Sequence, residues 1–199
     1  MPFAAFSCYD FQQMPTIIFN KPYGVLSQFT SEHGHPSLGG FKLPAGIYTA
    51  GRLDHDSEGL LILTSEGSLQ ARIADPRHKM PKVYWAQVER EIDEDAVLKL
   101  RKGLTLKDGP TLPCGARLLP DPALPARTPP IRFRKTVPTS WAEIILKEGR
   151  NRQVRRMLAA VGFPVLRLIR RAIGPLTTEG LEPGQWRELT EKEIRSLRV

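Results

Sequence analysis

The sequence predicts an α+β fold. Three observations carry it: short apolar runs of strand length recur along the chain, only a few segments show helical periodicity, and the two types do not alternate as regular βαβ units. A length of 199 residues with 41% hydrophobic side chains suffices to bury a core, in one domain or in two subdomains sharing one sheet. No internal repeat of 20 to 50 residues interrupts this reading.

After a tail of about 14 residues, Pro-Thr-Ile-Ile-Phe-Asn (15–20) reads as a strand that ends at the Lys21-Pro22-Tyr23-Gly24 turn. A polar loop over 27–46 holds His33 and His35; with no Cys or carboxylate cluster near them, a metal site is not expected. The run Leu60-Leu61-Ile62-Leu63-Thr64 is too short for a helix and predicts a buried strand. Ser65, Ser68, Leu69 and Ile73 suggest a short helix ending near Asp75-Pro76. Residues 82–88 form a second strand, with Val83, Trp85 and Gln87 on one face and Tyr84, Ala86 and Val88 on the other. A helix over 93–101 is capped by Asp93 and stopped at Gly103. Short strands follow around 104–106 and 112–118. Five prolines between Pro120 and Pro130 forbid a helix or central strand, so that stretch is a loop or connector. Residues 139–147 predict a strand, and 151–161 a helix with Val154, Met157, Leu158 and Val161 at i, i+3, i+4 and i+7. Another strand covers 165–169, and Thr190-Glu191-Lys192-Glu193 has the spacing of a capping box opening a last helix.

No apolar run of membrane-spanning length occurs, and the N-terminus lacks the pattern of a secretory signal, so a cytoplasmic protein is expected. Cys8 and Cys114 are far apart, which suits a reducing compartment. The net charge of +8 is concentrated: the segment from Arg127 to Arg171 carries +10, and the remainder sums to −2. A clustered positive field of this kind attracts a polyphosphate backbone, so the expected partner is nucleic acid.

Asp54 sits in a tight polar turn, Gly51-Arg52-Leu53-Asp54-His55-Asp56-Ser57-Glu58-Gly59. The turn begins like a calcium loop, but position 12 is Ser65 where a bidentate Glu is required, and a strand replaces the exiting helix. Calcium is rejected, and a metal-dependent phosphatase reading of Asp54-x-Asp56 lacks the second acidic cluster it needs. The turn is better explained as holding one reactive carboxylate. In Gly149-Arg150-Asn151-Arg152-Gln153-Val154-Arg155-Arg156, the side chains of Arg152, Arg155 and Arg156 share one side of a helix. With so few local acids they are not expected all to pair internally; some should meet phosphate, and one could meet Asp54 and favour its charged form.

In order and spacing, Gly51-Arg52-Leu53-Asp54, Lys82-Val83-Tyr84 and Gly149 to Met157 resemble the signature segments of pseudouridine synthases of the small-subunit-A (RsuA) type. Arg52 to Leu60, Pro129-Pro130-Ile131-Arg132, Pro138 to Trp141 and Gly162-Phe163-Pro164 bring the resemblance nearest to the ribosomal large subunit pseudouridine synthase E group, over about residues 15–188. It implies a mixed, largely antiparallel sheet in two subdomains around a central catalytic cleft, with a 1–14 tail, a 15–199 catalytic domain and no S4 domain. It implies isomerisation of uridine to pseudouridine at one site of 23S ribosomal RNA of the large subunit. Asp54 matches the catalytic aspartate, Tyr84 the tyrosine that stacks on uracil, and Arg155 the basic residue that pairs with the aspartate. Arg52 matches an arginine that fills the stack left by a flipped nucleotide. Where many relatives carry His before Gln, this chain has Arg152-Gln153, as the E group does, which makes Arg152 an RNA-contact candidate together with Arg132, Arg134, Lys135, Arg150 and Arg156. The reaction needs no cofactor and no metal, and a monomer without membrane partners is expected. The alternative class is a non-catalytic ribosomal RNA-binding or assembly factor, which would share the basic surface and need no carboxylate facing the RNA.

Overall fold

The computed structural model describes residues 15–78, 80–132, 134 and 136–198, so the 1–14 tail and Lys135 lie outside the described residues. The strands are β1 (Thr16–Lys21), β2 (Tyr48–Thr49), β3 (Glu58–Thr64), β4 (Lys82–Glu89), β5 (Thr105–Leu106), β6 (Gly109–Pro110), β7 (Gly115–Leu119), β8 (Thr139–Leu146), β9 (Val165–Ile173), β10 (Leu176–Thr177) and β11 (Trp186–Glu188). The helices are α1 (Gly67–Ala74), α2 (Glu94–Lys102), α3 (Gln153–Ala160) and α4 (Glu191–Leu197).

One mixed sheet runs β11-β1-β3-β9-β4-β8-β7, with β2 added to β3 and β10 to β9; β5 and β6 form a separate hairpin. Among the described residues, every pairing of these strands is antiparallel except that of β3 with β9. That parallel seam has two residue pairs, Glu58 with Ile169 and Gly59 with Arg170, and it divides the sheet into two halves with separate cores. The expected α+β architecture of two subdomains is thus organised about one short junction.

The β1–β3 half is covered on both faces. Ile18, Leu60 and Ile62 pack with α1 and α4 residues such as Leu69, Ile73 and Leu197, while Ile17, Phe19, Leu61 and Leu63 pack under Val25, Leu38 and Ile47. All seven residues of β3 are buried, which is why its sequence is a continuous apolar run and not an alternating one. The polar loop after β1 therefore has a structural role: Leu38 sits in a 3₁₀ turn capped by the Ser37 hydroxyl and closes one core.

In the other half, α2 and α3 cover one face of β4, β8 and β7, burying Ala86, Val88, Leu100, Ile144, Met157 and Leu158. The opposite face is polar. There the Trp85 indole donates to Glu143 Oε2 at 3.0 Å, Arg117 donates to the same carboxylate, and the Arg171 guanidinium stacks over the Trp85 ring at 4.5 Å. Helix α2 takes its cap from Asp93, which accepts from Ala96 N at 2.8 Å, and ends at Gly103 with φ 85°. Helix α4 has the full capping box between Thr190 and Glu193.

The structure adds the short strands β2, β10 and β11 to the sequence reading and alters three of the elements it predicts. Residues 112–114 are not strand: β7 begins at Gly115, and the preceding chain makes the β5–β6 hairpin. Helix α3 starts at Gln153 because Arg152 adopts a left-handed conformation, φ 47° and ψ 33°, that no helix interior admits. The strand over 165–169 extends to Ile173, held by β4 and β10.

Candidate active site

The turn after β2 is gripped at several points. Leu53 donates its N–H to Ser27 Oγ at 3.1 Å and accepts from the same hydroxyl at 2.8 Å. Arg170 reaches Arg52 O at 3.3 Å, and Gly24 N donates to His55 O at 2.7 Å. Ser57 N returns to Asp54 O at 3.0 Å, closing a tight turn around Asp54. Each bond fixes main chain, so the carboxylate projects from a rigid loop into the space between the two sheet halves. This is the placement catalysis demands, because an ångström of misplacement is costly.

That space is a cavity of about 600 Å³. Arg52, Asp54, Tyr84, Arg150 and Arg152 all line it, together with Lys82 and Arg170. The Asp54 side chain is 29% exposed there. Tyr84 comes from β4, on the face opposite Trp85, as the strand alternation predicts, and packs partly against the α2–α3 core.

The arginines divide their partners differently from the sequence expectation. Arg155 does not pair directly with Asp54: its Nη2 donates to Asp56 O at 2.7 Å and lies 3.4 Å from Asp56 Oδ2, behind the cavity and only 12% exposed. Arg152 is the arginine nearest Asp54, with Nη1 3.5 Å from Oδ2, and it forks onto both oxygens of Asp56 at 2.9 and 2.8 Å. The turn thus holds a second, arginine-paired carboxylate beside Asp54. Nor does a shortage of local acids leave the arginines unpaired. Arg156 takes both oxygens of Asp108 at 2.7 and 3.1 Å, and Arg150 bonds the same carboxylate and the carbonyls of Gly109 and Pro110. Asp108 lies on the β5–β6 hairpin, more than 40 residues away in sequence, so a count of neighbours along the chain misses it. Arg132 and Arg134 are outside the cavity, in a depression beside Gln87 and Glu89, where Arg134 lies 3.4 Å from Glu89 Oε2.

Several residues that the sequence reading did not single out build this site. Gln153 is buried, accepts from Arg150 N at 3.1 Å and donates to Glu148 Oε1, which in turn accepts from Leu112 N at 2.9 Å, so it ties the α3 entry to the hairpin. Glu58 and Arg167 form a buried bidentate pair at 2.9 Å beside the seam. Lys21 is fully buried with Nζ donating to Val25 O at 2.7 Å, Pro22 O at 2.9 Å and His55 O at 3.5 Å. Position within the turn was the available signal for Asp56; for the rest, only three-dimensional pairing reveals them.

The charge states follow from these contacts. Burial raises the Asp56 carboxyl, but the Arg152 hydrogen bond and the Arg155 and Arg152 charges outweigh it and hold the group below its ordinary value. The Arg156 hydrogen bond, helped by Arg150, holds Asp108 down at about 2. Burial lowers Lys82, with Arg170 adding to it. Burial takes Lys21 down to about 7, against the opposing pull of Glu58.

The Lys21 shift has a measurable sign. Its folded value lies below its unfolded one, so the cost of burying the ammonium is fully present below about pH 7 and fades as pH rises toward 10.5. Lys21→Met leaves three carbonyls without their donor at every pH, but it removes the titrating charge. The unfolding free energy of the variant relative to wild type should therefore fall between pH 6 and 10, by about 4 kcal/mol. Urea titrations at both pH values check this; a difference that stays flat or grows with pH contradicts it.

The mixed sheet that carries this cavity is shared with a solved enzyme. A crystal structure of a pseudouridylate synthase superposes with a TM-score of 0.78 at 30% identity, covering 93% of this chain and 74% of that one. Residues 15–160 match the RNA pseudouridylate synthase family model, and the chain belongs to that family. Ribosomal large subunit pseudouridine synthase E of Xanthomonas campestris pv. campestris is 53% identical over 185 residues, 92% of this chain and 99% of its own length. The protein of that name from Vibrio parahaemolyticus is 51% identical over 180 residues, covering 90% of this chain and 76% of its own.

Proposed function

We propose that this chain converts uridine to pseudouridine at one site of 23S ribosomal RNA in the large subunit, with Asp54 as the catalytic carboxylate. The observation that carries the proposal is Asp54 itself: a partly exposed carboxylate on an immobilised turn, opening into the same cavity as Tyr84 and rimmed by Arg52 and Arg152. The relatives that bear the large-subunit name, at more than 50% identity over most of the chain, point to the same substrate.

The residue types suit the chemistry. The N1–C1′ bond of uridine breaks, the ring turns, C5 bonds to C1′, the C5 proton leaves and N1 gains one; nothing is oxidised or reduced. One carboxylate suffices, either by attacking covalently or by taking a proton to begin elimination. Extruding the nucleoside from folded RNA costs a few kcal/mol. Stacking on Tyr84 returns about 1 to 3 kcal/mol of that, and Arg52, beside the cavity entrance, fills the vacated stack. Arg155 acts through the Asp56 turn, and Arg152, Arg132 and Arg134 supply phosphate contacts. Arg150 and Arg156 hold the β5–β6 hairpin at the rim through Asp108, and join the RNA surface by way of that hairpin. Neither cofactor nor metal takes part, and a monomer in the cytoplasm performs the reaction.

The test is pseudouridine mapping in large-subunit RNA incubated with the purified chain, both as naked transcript and as assembling particles. A single new pseudouridine is expected; none on either substrate, with RNA still bound, would favour a binding or assembly factor. The phosphate contacts are tested separately. Arg132→Ala combined with Arg134→Ala should weaken RNA binding and flatten the slope of log K against log salt by about 1 to 2. The single-turnover rate at saturating RNA should stay within about twofold, since neither side chain enters the cavity. An unchanged salt slope removes both residues from the RNA surface.

A further inference from the structure

The chemistry proposed above gives the Asp56 carboxylate no task, yet it is the most heavily engaged side chain beside Asp54. Its oxygens take the whole fork of Arg152 at 2.9 and 2.8 Å, and Arg155 Nη2 stands 3.4 Å from Oδ2. The same Arg152 Nη1 lies 3.5 Å from Asp54 Oδ2, beyond ordinary hydrogen-bond length. One guanidinium therefore faces two carboxylates and is committed to one of them. Arg152 reaches this position from a left-handed backbone conformation that residues with a Cβ seldom adopt, at the very start of α3, where its side chain makes no helix cap.

We propose that Asp56 is a positioning residue for catalysis: a competing acceptor that keeps the Arg152 fork off Asp54, so that the Asp54 oxygens stay free for the substrate. The inference rests on reading Asp54 as the catalytic group. Both routes open to that group, covalent attack and proton removal, use a lone pair on a carboxylate oxygen, and a forked guanidinium bond would occupy those lone pairs. Asp56 is the better acceptor as the loop stands, because Arg155 adds a second cation on its inner side. With an amide at position 56, Asp54 is the nearest remaining carboxylate to Arg152, and a small rotation of the guanidinium closes the gap.

The experiment is a double-mutant cycle in single-turnover pseudouridine formation at saturating RNA. Asp56→Asn should slow the reaction about tenfold or more, with RNA affinity kept within about threefold. Adding Arg152→Gln to that variant should restore at least about fivefold, whereas Arg152→Gln in the wild-type background should bring no gain; a reversal of sign between backgrounds is something a merely structural role does not produce. An Asp56→Asn rate within about threefold of wild type overturns the proposal, and so does a double variant no faster than Asp56→Asn alone. Asp54→Asn, run in parallel, separates the failures: product from that variant defeats the reading of Asp54 and the Asp56 proposal with it, whereas failure of the Asp56 arms beside an inactive Asp54→Asn overturns the Asp56 proposal alone. Thermal unfolding accompanies each variant. Should Asp56→Asn not fold, Asp56→Ser takes its place, and a chain that folds with neither shows Asp56 to serve the fold, which also overturns the proposal.

Discussion

Asp54→Asn should bind RNA within about threefold of wild type and form no detectable pseudouridine, a loss on the order of 10⁴-fold or more in rate. The substitution is nearly isosteric. The main-chain bond from Ser57 N to Asp54 O does not depend on the side chain, and asparagine is as much at home in a tight turn as aspartate. Arg152 keeps its fork on Asp56 and loses only a 3.5 Å approach, so the basic rim is unchanged. What goes is the anionic oxygen. A neutral amide is neither a competent nucleophile toward carbon nor a base for a sugar proton, so both routes stop together. The measurement is release of tritium from C5 of labelled uridine beside a filter-binding titration of the same RNA. Turnover above about one hundredth of wild type would remove Asp54 from the chemistry; loss of binding and turnover in equal measure would make it a structural residue of the turn.

Much of the fold was legible because its signals are local. Asp93 and Gly103 bracket α2 as caps do, Thr190 and Glu193 close their box, and the five-residue apolar run of β3 reads as a strand buried on both sides. What was not legible depends on partners far along the chain. Strands β2, β10 and β11 are two or three residues long and exist only because β3, β9 and β1 pair with them. The start of α3 was set two residues early, because helical periodicity does not register a left-handed Arg152.

The site divides in the same way. Asp54 and Tyr84 stand in short motifs whose order along the chain is specific, and the structure brings both to one cavity. The arginine partners escaped because charge was counted along the sequence: Asp56 is 96 positions from Arg152, and Asp108 is 48 from Arg156. Ion pairs obey distance in space, so a basic helix that looks free to meet phosphate is in large part engaged by carboxylates on two other loops. This matters for recognition. Among the described residues, Arg150, Arg152 and Arg156 of the +10 segment are engaged by carboxylates, so fewer of its cations face RNA than its charge suggests.

Gly59→Ala should be the most damaging glycine-to-alanine substitution in this chain, since its added Cβ meets the closest backbone approach of any glycine. Gly59 holds φ 104°, a region that residues with a Cβ rarely adopt, and it stands at the parallel seam opposite Arg170. A Cβ there would lie 2.3 Å from Arg170 O and 2.9 Å from Arg170 N. Neither atom is the end of a flexible side chain, so β3 and β9 must part. Parting them strains the Glu58–Arg167 pair on one side and the bonds from Arg170 to Leu60 O and Arg52 O on the other, and the latter fix the Asp54 turn. Backbone strain of about 1 to 2 kcal/mol adds to overpacking of about 1 to 3 kcal/mol, and the expected loss is roughly 2 to 5 kcal/mol, or about 10 °C in Tm for a chain of this size. Activity should fall further than the unfolded fraction explains, because the seam carries the turn. Gly67→Ala is the control: nothing lies within 4 Å of its added Cβ, and thermal unfolding should move by less than about 1 kcal/mol. If Gly59→Ala melts as Gly67→Ala does, the two halves of the sheet do not meet as closely as this seam requires, and the geometry that aims Asp54 into the cleft has another origin.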